Sequence, residues 1–445
     1  MASTRLERTN GTATTRTKCT FSAWFKYDQT SGTNTIINTS DDSNANTYFM
    51  IELKPSLDIQ IRNGSATTYL RRQSLQVLRD NSGWYNVVVS FDSTDGTPAD
   101  RLKVFLNGER ITGWENDNGV VDSDYECPLF KTSTPMAIGS SINDANYFSG
   151  IMSHMHATDG YVYDASAFGE TDSDTGEWKI KTDVSVTYGD NGFFILEDGN
   201  SVTDQSGEGN NWTVDAGTLT NTEDCPSDIF ATMSPLDRGN VGTAPTFANA
   251  NDTWTSSGNS TGQNPVRGTL GITTGKFYWE AKTSSNQNHL IGVCGSEVNM
   301  NYETGSNNLL TYPNTTIYLT SGGAYKDASE ITSGLTSIAA DDIMMIGIDM
   351  TNLKFYIGIN GTWLNSADPV AGTNAPATLN SGSTYLPVCA DYGYADVVTL
   401  KFNFGNGYFG TDAISSEGTN ASNIGKFEYN VPTGFTALST KGLNS

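Results

Sequence analysis

Few side chains in this chain have the types and spacing for reaction chemistry. There are three histidines. His154 and His156 are two apart in a strand-like run, so both would face one side, as a metal-binding pair does. No cysteine lies within a few residues of them, and the nearest acid, Asp159, falls in the turn beyond. They read better as polar residues on a half-exposed strand. His289 is solitary, and without an activated Ser or Cys motif a nucleophilic triad has no visible base. Retaining glycoside hydrolysis needs two carboxylates flanking the scissile bond. A pair on one strand would have to share a face. Glu280 stands alone on its strand and Glu52 lacks a partner of the right phase, so no enzyme is expected and no catalytic residue is assigned.

Binding chemistry is better represented. A glycan site needs aromatic faces for the sugar ring and Asn or Asp for its hydroxyls. Trp114, followed by Glu115, Asn116, Asp117 and Asn118, has that character in a turn-rich loop. Trp114, Asn116 and Asn118 are therefore candidate ligand contacts, although a Trp in a sandwich more often packs in a core.

The elements that must position these residues are strands. Gly accounts for 45 residues, and 8 Trp, 20 Tyr and 19 Phe supply apolar bulk, while long Ala/Leu/Glu/Lys stretches are missing. Short apolar runs broken by Gly, Asn and Asp read as β-sandwich. Phe21 to Tyr27, Tyr48 to Leu53, Leu57 to Arg62, Gly83 to Phe91 and Arg101 to Leu106 are strand-like. Lys54-Pro55-Ser56 is a turn, and Asn107-Gly108 is a favoured hairpin dipeptide. A second series runs through 275–282, 290–293, 316–319, 341–349, 353–357, 385–388 and 397–405, with Asn360-Gly361 as another hairpin. At 445 residues the chain has room for two or three domains. The expectation is all-β, with two antiparallel, jelly-roll-like sandwiches joined by a loop-rich connector. The divisions expected are an N-terminal arm over 1–15, a sandwich over 16–235, a connector over 236–270, a second sandwich over 271–412 and a strap over 413–445.

Formal charge is −24, which repels phosphate backbones and argues against a nucleic-acid partner. The acids are scattered, as on a soluble folded surface. Cys19, Cys127, Cys225, Cys294 and Cys389 are odd in number and widely spaced, so they read as mostly buried thiols of a protein folded in a reducing cytoplasm. No apolar run is long enough for a membrane span, and Met1 to Asn10 lacks the apolar core of a signal peptide.

Three resemblances refine this reading. Phe21-Ser22-Ala23-Trp24, Gly83 to Phe91, Val104 to Glu109, Ala137-Ile138-Gly139 and Phe148 to Met152 together resemble the laminin-G-like branch of the concanavalin A-like lectin/glucanase superfamily. Gly275 to Glu280, Ile291-Gly292-Val293, Asp342 to Asp349, and Leu353 to Tyr356 with Asn360 to Trp363 resemble a SPRY domain, with Asp341 in place of the usual Gly. Asp164 to Trp178, Asp224 to Leu236 and Val431 to Thr440 resemble stretches common in phage structural proteins.

The resemblances imply a virion surface protein of a tailed phage, such as a tail fibre, adhesin or head appendage. It would be made in the bacterial host cytoplasm, form a homo-oligomer with a trimer favoured, and contact other virion proteins or a host-surface glycan. Laminin-G-like domains often bind calcium at a loop edge. That makes Asp41 with Asp42, Asp122 with Asp124, and Asp172 with Asp174 candidate ligands of a structural calcium, with no other cofactor expected. Asp is also an ordinary turn former. The SPRY resemblance adds Tyr302, Tyr325, Asn360 and Trp363 as candidate contacts on a loop face. Capsid decoration or tail assembly is the alternative role, and a carbohydrate-active enzyme a more distant one.

Overall fold

The structure is a computed structural model. It describes residues 4–445 apart from 29–31, 41–46, 64–68, 198–200, 240–242, 259–262, 301–308 and 393–396. Strands dominate, and they group into two compact units, residues 1–221 and 222–445. The all-β expectation holds, with several antiparallel sheets.

In the first unit, an eight-stranded sheet runs in the order Trp114–Asp117, Tyr69–Val77, Ser56–Asn63, Thr47–Leu53, Asn34–Ser40, Pro135–Ile138, Arg5–Thr9, Thr213–Ala216. Alternation sets its faces. Phe49, Ile51 and Leu53 on one strand and Leu57, Ile59 and Ile61 on the next point into the core. Tyr48, Met50, Glu52, Asp58, Gln60 and Arg62 alternate with them and take the opposite face. A six-stranded sheet built around Lys18–Tyr27 and Tyr85–Asp92 closes the core from the other side with Phe21, Phe25, Val87, Val89 and Phe91.

The outer face of that second sheet is covered by its own chain. Val88 and Phe105 pack with Ala165 and Phe168, and Trp178 lies against them. The Trp178 indole donates to Asn86 Oδ1 at 3.2 Å. Gly108, at φ 81° in the Asn107-Gly108 hairpin, leaves room for that ring; a Cβ there would fall 2.4 Å from it.

In the second unit, a seven-stranded and a nine-stranded sheet enclose a larger core. Trp254, Trp279, Tyr278, Tyr318, Tyr356 and Tyr385 are fully buried. A satellite cluster of Leu290, Cys294, Ile317, Leu319, Val388 and Ala390 lies on the other face of the seven-stranded sheet, with Tyr325 against it.

Three stretches set apart from the sandwiches in the sequence divisions take part in the sheets. Residues 1–15 contain Arg5–Thr9, a strand paired on both sides, with Leu6 in the core. Residues 236–270 hold Thr246–Ala248, Thr253–Thr255 and Val266–Gly268, all within sheets. Their sparse apolar content misleads because they add to sheets whose core is supplied by other strands, with Trp254 as anchor. Residues 413–445 are woven in: Thr436–Ala437 pairs parallel to Lys276–Thr283, and Phe427, Phe435 and Leu438 join the core.

All five cysteines are free thiols, and four are buried. No described helix is long and apolar enough to cross a membrane.

Candidate functional site: the polar face of the first unit

The hairpin turning at Pro55 sets the register of the site. Leu53 pairs Leu57, and the next pair out is Glu52 with Asp58. Neighbouring strands extend the row, with Thr35 opposite Glu52, Gln73 opposite Asp58, and Asn116 opposite Gln73. Five strands thus place Thr35, Glu52, Asp58, Gln73 and Asn116 in one line on the face turned away from the core.

The row has two tiers. Glu52 and Asp58 form the base, at 2% and 0% exposure. Lys54 Nζ bridges them, 2.6 Å from Glu52 Oε2 and 2.9 Å from Asp58 Oδ2. Arg71 donates to both Asp58 oxygens through Nε and adds Nη2 to Oδ2 at 2.9 Å. Gln60 Nε2 donates to Asp58 at 3.1 Å, and Thr35 Oγ1 donates to Glu52 Oε1 at 3.2 Å.

Burial alone would lower the Lys54 pKa, but Glu52 and Asp58 offset it and hold the ammonium above its ordinary range. Above the carboxylates lie the partly exposed heads of Lys54 and Arg71, then Gln73 and the exposed Asn116. Arg71 Nη2 and Asn116 Nδ2 both donate to Gln73 Oε1, at 2.9 and 2.8 Å. Asn118 Oδ1 accepts from the Arg71 N–H at 2.6 Å. The anionic floor fixes the donors of Lys54 and Arg71, and Gln73 Nε2 donates to Ser56 Oγ at 3.0 Å.

This arrangement suits recognition better than acid–base work. A general acid must hold a proton and a nucleophile must be free to attack. Both carboxylates here are committed to cations and amides.

Residues 3–165 match the model of the Concanavalin A-like lectin/glucanases superfamily. The first unit thus carries a domain similar to that superfamily. The row lies within the matched residues, on the larger sheet of this lectin/glucanase-like unit. The search of curated proteins found no significant match. Among solved structures, the SPRY domain of human HERC1 is 18% identical, covers 38% of this chain and 96% of its own, and gives a TM-score of 0.30. The TRIM65 PSpry domain is 13% identical, with 39% and 91% covered and a TM-score of 0.28. The CBM40 of a Ruminococcus gnavus IT-sialidase is 14% identical, with 36% and 91% covered and a TM-score of 0.27.

The structure brings Asn116 and Asn118 to the rim of the row. Trp114 is otherwise placed. It lies on the edge strand Trp114–Asp117 rather than in a loop, half-buried against the core, with the Arg72 guanidinium 5.4 Å from its ring centroid. One ring face is already occupied.

The described candidates in the second unit lie on different sheets. Tyr325 belongs to the seven-stranded sheet, whereas Asn360 and Trp363 belong to the nine-stranded one. Asn360, at φ 47°, accepts from Ile343 N at 2.9 Å and donates to Asp342 at 2.7 Å, so it is spent on its turn. Trp363 packs edge-on against Tyr278 and Tyr356. Tyr302, Asp41 and Asp42 lie outside the described residues.

Of the acid pairs, Asp172 accepts from the Thr175 and Asp174 N–H groups, which hold its carboxyl down to about 2. That is an Asp serving its own turn, with Asp174 exposed beside it. Asp122 and Asp124 are exposed, and Asp124 takes φ 56° in a turn. Among the described residues, no three His, Cys, Asp or Glu side chains gather as a metal site.

The histidine pair is split by a bulge. Pairing steps from Ser153 opposite Trp24 to His156 opposite Ser22, and His154 sits at φ 45°. His156 is buried, stacked on Phe194 at 3.9 Å, with Nδ1 2.9 Å from the Tyr188 hydroxyl.

The row itself escaped the sequence reading, because Asp58 is on a different strand from Glu52. The signal was present in the Lys54-Pro55-Ser56 turn. Symmetric pairing about Pro55 puts Glu52 opposite Asp58.

Proposed function

We propose that the protein is a non-enzymatic surface protein of a tailed-phage particle, whose lectin/glucanase-like unit holds a host-surface glycan on the polar row. The observation that carries the binding reading is the two-tier row, in which buried carboxylates fix the donors of Lys54 and Arg71, and Arg71 in turn holds Gln73 and through it Asn116. Sugar hydroxyls and sugar carboxylates are acceptors that such donors bind, and fixing the donors in advance lowers the ordering cost of binding. The virion setting and a trimeric assembly rest on the phage-like stretches at 164–178, 224–236 and 431–440.

A second reading is favoured by a separate observation. Leu75 and Val77, at 62% and 44% exposure, stand side by side in phase on a strand next to the sheet edge. Apolar side chains at such a place suit a protein contact, which fits capsid decoration or tail assembly.

The test is binding of the purified protein to intact host cells before and after periodate oxidation of surface glycans. Saturable binding abolished by periodate supports the adhesin. Absence of binding by folded protein moves the role to particle building.

A further inference from the structure

In the second unit, the register of the seven-stranded sheet aligns three polar residues on its core-facing side. His289 pairs directly with Asp391. Val266 pairs with Cys389, and two residues further out the same register puts Asn264 opposite Asp391. The Asn264 N–H donates to Asp391 Oδ1 at 2.9 Å, which ties that end of the row together. All three residues are buried, and they share their face with Val266, Cys389 and Ile291 of the core.

Each residue has one side-chain atom buried without a hydrogen-bond partner: His289 Nε2, Asp391 Oδ2 and Asn264 Oδ1. With Asp391 as the carboxylate, all three are acceptors. His289 Nδ1 lies 2.9 Å from the Gln287 carbonyl oxygen, which can only accept, so Nδ1 carries the proton and Nε2 the lone pair. Asn264 Nδ2 donates to Thr243 O and Ser257 Oγ, which fixes Oδ1 as the unused atom. Buried acceptors without donors are rare in native proteins and call for a reason.

A single water donates two hydrogens and leaves one of the three acceptors unmet. A cation held by all three would satisfy them together, and one feature of His289 suits a ligand. A metal-binding imidazole usually donates its other N–H to a backbone carbonyl, as Nδ1 does here to Gln287. We propose that His289 Nε2, Asp391 Oδ2 and Asn264 Oδ1 form a buried site for a divalent first-row transition ion of the Zn2+ or Co2+ kind. One nitrogen and two oxygens match that class. Calcium prefers an all-oxygen shell.

The test uses the full chain, unfolded and refolded with Zn2+, Co2+ or Ca2+ and then desalted. The expected result is about one Zn2+ or Co2+ per chain and visible absorption from the cobalt form, with no retained Ca2+. Asp391→Asn and His289→Gln each reduce the bound ion to under about a tenth of that level. Should the variants fold poorly, the wild-type chain decides: chelator lowers its melting temperature and Zn2+ restores it. A wild-type protein that retains no ion after refolding, and whose melting temperature ignores chelator, overturns the proposal.

Discussion

Glu52 and Asp58 face each other across the hairpin centred on Pro55 and share the ammonium of Lys54, at 2.6 and 2.9 Å. Two buried carboxylates in direct register repel unless a cation stands between them. Lys54 and Arg71 supply that charge from above, and in doing so become the fixed outer tier of the proposed binding face.

Removing the bridge therefore strands charge. Lys54→Met leaves Glu52, among the described residues, with the Thr35 hydroxyl and a long Gln60 contact. Breaking a buried pair from one side costs about 3 kcal/mol. Chemical denaturation of Lys54→Met measures the loss. Adding Glu52→Gln in the same background recovers most of it, since Asp58 keeps Arg71 and the neutral amide at 52 no longer needs the ammonium.

Glu280 predicts a pH dependence. Its carboxylate accepts from Tyr278 Oη, Tyr429 N, Glu428 N and Asn403 Nδ2, yet burial outweighs these four donors and pushes its pKa from 4.5 up to about 7. A carboxyl with a raised folded pKa stabilises the fold fully below its unfolded value and loses that contribution as pH rises through about 7. The second unit should lose about 3 kcal/mol from this group between pH 4 and pH 8. Glu280→Gln should flatten that part of the stability–pH curve, read by urea melts across the range.

His154 acts with the opposite sign. Burial lowers its pKa from 6.5 to about 4, so its contribution is present above 6.5 and is lost as pH falls toward 4. NMR titration of the ring protons should show no protonation at pH 5.5. His154→Gln should make the first unit less sensitive to acid over that window.

Much of the frame was legible. Asn107-Gly108 and Asn360-Gly361 turn their hairpins with φ 47° and 81°, and 47° and 84°, because Asn and Gly tolerate the left-handed region those turns need. Tyr48 to Leu53 and Leu57 to Arg62, read as strands on either side of the Lys54-Pro55-Ser56 turn, lie within Thr47–Leu53 and Ser56–Asn63. What stayed hidden depends on relations between strands. The Glu52–Asp58 pair and the Asn264–Asp391–His289 row each join residues on different strands, and register comes from turns and sheet order rather than from spacing along one segment. Trp114 misled for a related reason. Its polar neighbours look like a loop, but pairing with Ser74 and Gln73 makes them an exposed edge strand.

The most direct test of the account is a glycan array probed with the folded wild-type protein and with Gln73→Ala/Asn116→Ala. Both residues are in the outer tier and neither contributes to the cores, so the variant should keep the wild-type melting curve. The account predicts selective binding by the wild type, strongest for sugars with carboxylates to meet Lys54 and Arg71, and a loss of at least about tenfold in the variant. Glycan binding that is unchanged in the variant would contradict the polar row as the site, and no binding to any glycan by folded wild type would contradict the glycan reading itself.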